Sequence, residues 1–342
     1  MKIFPFSSTP ENYPDQHNQT QLSDITDEQF NAEWQNHTYQ WYHRVYQAIC
    51  FLLFLGPIRL VIGVGGFALM NLFVIYGRMI QLKLTNNNRK FMKKFFYYCL
   101  QVSVRLVSFA FGHMKIRIHG KADPDTRIII SNHSAYHDPF IVSYCIHCSV
   151  VCKWEIGQSI LKYMLDPLDP IYVRRDQSGG QSKLIVEQAD NKELLPVLIF
   201  PEGTTHKGDY LFKFHRSAFI TQHKVQPVLI RYNQPFVPRG WNSYGWTQTN
   251  TLEYFFMCLA MPLNFVDVTF LPAMTLAENE NSPDKFAENA ELLVANFFGI
   301  KATTRSNDEI FKHKKAQKAA QQQNTQNNQE QPKPEENHEK VN

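Results

Sequence analysis

The chain has 342 residues, 44% hydrophobic and 19% charged, which marks a globular body with ample surface to bury rather than a disordered polymer. A net charge of +4 is too small to suggest a nucleic-acid binder, and none is expected as a partner. Cys50, Cys99, Cys145, Cys148, Cys152 and Cys258 do not read as a disulfide framework in a chain of this size. Cys145, His147, Cys148 and Cys152 carry ligating atoms, but no second ligand pair follows at zinc spacing. Structural thiols, and no metal, are therefore expected.

Residues 1–45 form a polar leader rich in Pro, Asn and Gln, expected to be loosely packed, with nothing resembling a secretory signal. From Ala48 to Tyr76 only Arg59 and Asn71 are strongly polar. One unbroken helix of that length would reach about 44 Å, more than the roughly 30 Å of a bilayer's hydrocarbon core. Pro57 and the Gly63-Val64-Gly65-Gly66 cluster offer breaks, so residues 46–80 read as a membrane anchor, either one tilted span or a re-entrant hairpin. Arg78, Lys83, Arg89, Lys90, Lys93 and Lys94 follow without an acidic residue between them. That imbalance places the remainder of the chain on the cytosolic side. The apolar stretch 95–111, with Arg105 inside it, reads as an interfacial or core-packing helix.

Residues 81–303 alternate short β-rich runs with helical ones. Strands are predicted at 114–119, 127–131, 150–154, 171–174, 197–200, 225–232 and 265–271, and helices at 140–147, 181–192 and 284–298. Ser282 followed by Pro283 is a helix start, hydroxyl cap first and proline at the first turn. The fold class is therefore α/β, a mixed sheet flanked by helices, with an N-terminal membrane-embedded helical segment. Residues 304–342 turn Gln-, Asn-, Lys- and Glu-rich and read as a disordered tail.

Two segments carry candidate chemistry. The first is Ser131-Asn132-His133-Ser134-Ala135-Tyr136-His137-Asp138-Pro139, between a strand and a helix. Asp138 before Pro139 is a natural N-cap. The loop can also fold His133 back so that the carboxylate holds its Nδ1–H, leaving a general base. His137 is the other base candidate, less well placed because it adjoins Asp138. The second segment is Phe200-Pro201-Glu202-Gly203-Thr204-Thr205 at a strand end, where α/β sheets place ligands. Gly203 admits close approach of a ligand, and Glu202 can accept its hydrogen bonds. Taken alone, each segment is weak; an ordinary turn gives the same pattern.

Together they resemble the paired signature of the glycerolipid acyltransferases that use an HxxxxD motif, the 1-acylglycerol-phosphate acyltransferase superfamily. His133 and Glu202 stand 69 positions apart, similar to that family's spacing. Ile171-Tyr172-Val173-Arg174-Arg175 resembles its second block and Val225-Gln226-Pro227-Val228 its fourth, in the same order. Residues 202–232 look most like the lysophosphatidylcholine and lysophosphatidylethanolamine acyltransferase branch. The chain departs from the pattern at Asp169-Pro170, where a glycine usually opens the second block, and at His215 and Ser217, where the branch shows lysine and glycine.

The resemblance implies His133 and Asp138 as catalytic residues. It implies Arg175 and Lys153 as holders of the acceptor phosphate, Glu202, Gly203 and Thr204 around the glycerol, and Pro227 lining the pocket. Acyl-CoA is implied as co-substrate, with no cofactor, and a lysophospholipid as acceptor. Membrane lipid is the expected surroundings and the endoplasmic reticulum the expected location. Phosphatidic-acid synthesis from a lysophosphatidic acid or glycerol 3-phosphate, and an inactive scaffold of the same fold, are the competing expectations.

Overall fold

A strand buried on both faces must be apolar at consecutive positions, and Ile128, Ile129 and Ile130 are each at most 1% exposed. In the computed structural model, which describes residues 21–35, 40–54, 56–81, 86–158, 162–165, 169–174, 180–237, 245–247, 250–313 and 315–316, this strand lies in the middle of a seven-stranded sheet. The elements in chain order begin with helices α1 (Asp27–Trp34), α2 (Trp41–Leu53), α3 (Gly56–Gln81) and α4 (Asn86–Ala110). Next come β1 (His113–His119), β2 (Thr126–Ile130), α5 (Asp138–Cys145), β3 (Ser149–Lys153), α6 (Lys162–Leu165), β4 (Ile171–Val173) and α7 (Gln181–Asp190). The remainder are β5 (Val197–Ile199), β6 (Tyr210–Leu211), β7 (Lys224–Asn233), α8 (Thr251–Leu259), β8 (Asn264–Phe270), α9 (Pro283–Phe298) and β9 (Lys301–Ala302).

The sheet runs β1-β8-β7-β2-β5-β3-β4. All neighbours are parallel except β7 and β8, so the sheet is mixed, as expected from the sequence. Side chains alternate across it with the strand period of two. Ile128, Ile130, Val197 and Ile199 face a layer that includes Ile185 of α7 and Phe286, Ala290 and Val294 of α9. Ile129, Leu198, Val228 and Val268 face Ile141 and Val142 of α5 on the other side. Helix α9 starts where the sequence places it, the Ser282 hydroxyl accepting from Lys285 N with Pro283 in the first turn.

Both chain ends depart from expectation. The leader contains α1, capped by a reciprocal Thr26–Gln29 box, with Phe30, Glu33 and Trp34 buried. Residues 305–313 are also ordered: the Arg305 guanidinium lies 4.4 Å over the Phe30 ring and pairs with Asp27 at 2.7 Å, and Ile310 is buried beside Phe212. β6 and β9 form a short parallel ribbon, next to a bridge between Ser23 and Thr303. Apolar side chains spaced along both ends supply the contact that a loosely packed leader and tail would lack. Residues 1–20, 36–39, 314 and 317–342 of those two segments lie outside the described residues.

Helices α3 and α4 run antiparallel. A Cβ added to Gly63 would lie 2.8 Å from Ala110 Cβ, and one on Gly66 would lie 2.8 Å from Leu106 Cβ, so the glycines permit close packing. Arg59, in the apolar stretch, is 2% exposed and donates from Nη1 to the Met261 carbonyl at 2.6 Å, tying α3 to the end of α8. Among the described residues no single helix is long and apolar enough to cross a membrane. Residues 41–53 and 56–69 pass that test only together, bent by 75°. The side chains of Arg78, Lys83, Arg89, Lys90, Lys93 and Lys94 lie outside the described residues.

Candidate active site

Parallel strands send their C-terminal ends to one edge of a sheet, where α/β folds collect functional loops. β2, β5, β3 and β4 lie side by side in that order, so His133, Glu202 and Arg174 follow strands that end on this edge and Lys153 is the last residue of another. At about 4.8 Å per strand, Lys153 stands about 10 Å and Arg174 about 14 Å along the edge from the end of β2. The Arg174 guanidinium sits 4.5 Å over the Trp154 ring. Arg175 lies outside the described residues, and Lys153 is exposed at the end of β3.

The loop after β2 is fixed by its own side chains. Asn132 extends the sheet's hydrogen bonding past the strand: its amide donates to the Ile230 carbonyl at 3.0 Å and accepts from Ile230 N at 2.9 Å. Asp138, fully buried, is the first residue of α5, and Pro139 occupies a position needing no N–H. Of the two readings the sequence left open for the carboxylate, capping the helix ahead of it is not the one observed. The carboxylate turns back, and Oδ2 accepts from Ser134 N at 2.7 Å, Ala135 N at 2.8 Å and His133 Nδ1 at 3.0 Å. The Tyr232 hydroxyl donates to Oδ1. With Nδ1–H committed to a carboxylate, His133 keeps the lone pair on Nε2, the atom a general base needs. Its ring stacks on Phe200 at 4.1 Å and is 19% exposed, enough to meet a ligand.

His137 has a different setting. Its Nε2 is 2.8 Å from His113 Nε2, and His113 Nδ1 is 2.7 Å from Asn264 Oδ1. Asn264 Nδ2 donates to Pro262 O, which fixes Oδ1 as the acceptor; His113 then donates from Nδ1, and His137 donates to His113. Burial drives His113 down to about 3 and His137 well below the usual imidazole range, so both rings are neutral structural groups.

Glu202 is fully buried. Its Oε2 accepts from His206 Nε2 at 2.5 Å and from Phe212 N at 3.0 Å. His206 Nδ1 faces Glu33 Oε2 of α1 at 3.3 Å, and Gly208 N donates to the same oxygen at 3.0 Å. Burial alone would push His206 down, but Glu202 and Glu33 on its two nitrogens outweigh it and lift it to about 10. Gly203 has φ +68°, and a Cβ there would lie 2.3 Å from Asn307 Nδ2, so backbone and space both demand glycine. Thr204 Oγ1 reaches the Thr205 carbonyl at 3.4 Å.

A cavity of about 230 Å³ is lined by Asn132, Ser134, Glu202, His206, Arg231 and Tyr232 among others, on both sides of His133 in the sequence. His133, Asp138, Gly203, Thr204, Lys153 and Pro227 are not among its lining residues. Pro227 lies inside β7, buried opposite Ile130, where it packs in the sheet rather than forming a pocket wall. The sequence reading missed Glu33, His206 and Tyr232 as site residues. His206 stands four positions after Glu202, a spacing that hints at contact, whereas nothing local marks Glu33.

Among the described residues no group of three or more His, Cys, Asp or Glu side chains is placed to hold a metal. Burial raises the Cys145, Cys148 and Cys152 thiols to about 12, which keeps them protonated.

The acyltransferase family profile matches residues 115–232. Lysophospholipid acyltransferase LPCAT4 of Homo sapiens is 30% identical over 208 residues, covering 58% of this chain and 39% of that protein. Lysophosphatidylcholine acyltransferase 1 of Danio rerio is 28% identical over 59% of this chain and 40% of its own length. For lysophospholipid acyltransferase LPEAT2 of Arabidopsis thaliana the figures are 29%, 53% and 34%. The chain thus matches less than half the length of these relatives. The crystal structure of the 1-acyl-sn-glycerophosphate (LPA) acyltransferase PlsC from Thermotoga maritima superposes with a TM-score of 0.49 at 15% identity, over 69% of this chain and 94% of that one. The matched residues 115–232 include His133, Asp138 and Glu202.

Proposed function

We propose that this chain is an acyl-CoA-dependent lysophospholipid O-acyltransferase that re-acylates lysophosphatidylcholine or lysophosphatidylethanolamine. The observation that carries the reading is the His133–Asp138 pair, with the carboxylate locked by two backbone amides and Tyr232. The names of the relatives support the acceptor class.

In the proposed reaction the acceptor hydroxyl attacks the thioester carbonyl while His133 Nε2 takes its proton. Asp138 stabilises the imidazolium that forms. Collapse of the tetrahedral adduct breaks the C–S bond, and the imidazolium returns the proton to the departing coenzyme A thiolate. No acyl-enzyme is required, because two reactants held together behave as one molecule. Glu202, Gly203 and Thr204 order the glycerol portion, and Lys153 and Arg175 hold the acceptor phosphate by charge-assisted hydrogen bonds.

Helices α2, α3 and α4 serve as the membrane-docking element, on the cytosolic face of the endoplasmic reticulum. Leu52, Leu53, Val61, Val64, Leu72, Phe91 and Tyr98 are all exposed apolar or aromatic side chains on these helices, more than a water-facing surface usually gathers.

The test is transfer of labelled acyl chain from acyl-CoA to a panel of acceptors, using membranes bearing wild type or His133→Ala. Label in phosphatidylcholine or phosphatidylethanolamine, lost in the variant, is expected. Label confined to phosphatidic acid would reassign the acceptor, and turnover retained by His133→Ala would remove that residue as the base.

A further inference from the structure

Glu33 comes from a distant part of the chain to meet His206 and Glu202, both of which line the cavity, and each of the three is at most 3% exposed. Helix α1 does not need this charged contact in order to dock, since Phe30 and Trp34 already pack with Phe212 and Ile310. An apolar pair of similar volume would hold the helix as well as a buried charged cluster does, and often better. Glu202 Oε1, moreover, is buried with no hydrogen-bond partner among the described residues, in a residue that borders the cavity. A buried carboxylate oxygen without a donor carries a desolvation cost that an incoming hydroxyl relieves.

We infer that Glu33 and His206 are positioning residues, a clamp from α1 that fixes Glu202 so that its Oε1 receives a hydroxyl of the acyl acceptor. The inference rests on the acyltransferase reading and extends the substrate site to the N-terminal helix. His206, raised to about 10, offers N–H donors to both carboxylates throughout the neutral range. Lys207 and Asp209 are the other charged groups in its sequence neighbourhood, and the Phe212 ring stacks on it at 4.5 Å. The second carboxylate is thus what lets the imidazolium hold Glu202 from one side while α1 braces it from the other.

The experiment compares wild type with His206→Ala, Glu33→Ala and Glu33→Gln, measuring kcat and KM for acceptor and acyl-CoA separately, with melting curves on the same preparations. Both alanine variants are expected to raise the acceptor KM at least about tenfold, with kcat and the acyl-CoA KM within about threefold. Glu33→Gln keeps an oxygen for His206 and Gly208 and recovers most of the loss. Unchanged acceptor KM in folded variants overturns the clamp. If the alanine variants do not fold, imidazole ¹⁵N NMR of the full-length wild type decides, with His206 assigned by its loss in His206→Gln. A ring protonated on both nitrogens to about pH 8.5 supports the clamp, and titration near the ordinary value of about 6.5 overturns it. An inactive wild type counts against the acyltransferase reading instead, and the NMR result still decides the clamp.

Discussion

Asp138→Asn separates two things the carboxylate does, holding the loop and carrying charge. Asparagine can present its carbonyl oxygen to Ser134 N, Ala135 N and His133 Nδ1, where Oδ2 now sits, and turn its amide to Tyr232, whose hydroxyl can accept instead. The loop should therefore survive, with melting close to wild type. What disappears is the attraction between carboxylate and imidazolium as His133 takes a proton. The facing atoms are 3.0 Å apart, and charge centres about 4 Å apart attract by about 4 kcal/mol at an effective dielectric of about 20. That corresponds to a loss of about a thousandfold in the chemical step. Asp138→Ala differs in kind, because it also leaves two buried amides without an acceptor, at about 1–3 kcal/mol each. Single-turnover acyl transfer and thermal unfolding on the same preparations check both. An Asp138→Asn rate within tenfold of wild type would refute the electrostatic role, and equal stability of the two variants would refute the clamp on the loop.

Gly203→Ala must adopt φ near +68° with its Cβ 2.3 Å from Asn307 Nδ2. It should lose about 1–3 kcal/mol in denaturant unfolding, and an unchanged midpoint would count against the strain. Arg59→Met fills similar space but removes the donor to Met261 O. Urea unfolding should show a loss of about 1–3 kcal/mol, and wild-type stability would mean that this bond does not tie α3 to α8. Glu291 is lifted by burial to about 8, against the opposing bond from Phe214 N. Between about 4.3, where an exposed carboxyl ionises, and 8, the unfolded chain gives up a proton that the folded chain keeps, so this group makes stability fall as pH rises through that window. Glu291→Gln keeps an acceptor for Phe214 N and should gain on wild type at pH 8 relative to pH 4. A stability difference that does not change between those two pH values would refute the assignment.

What could be read from the sequence, and what could not, divides by the range of the forces involved. β2, β5 and β7 were legible because a strand buried on both faces must be apolar at adjacent positions, and few settings other than such a strand call for a run like Ile128-Ile129-Ile130. The start of α9 was legible because Ser282-Pro283 encodes it in two residues. His133 and Asp138 belong to this local class as well, five positions apart on one loop. Even there two readings stayed open, because an aspartate at a helix start can cap forwards or reach back. The choice is made by Ser134 N, Ala135 N and Tyr232, the last of them 94 positions away. Helix α1 escaped for a stronger reason. Its eight residues carry little amphipathic pattern, and an isolated helix that short is not stable. It exists because Phe30 and Trp34 find Phe212 and Ile310, and it carries Glu33 to His206, 173 positions distant. A buried glutamate in a polar leader looks like any solvated charge until the fold supplies its partner. The same dependence gives the helix its functional interest: a side chain that is costly to bury, placed against a cavity-lining carboxylate through one histidine, makes more physical sense as a support for the site than as a fastening for the chain end.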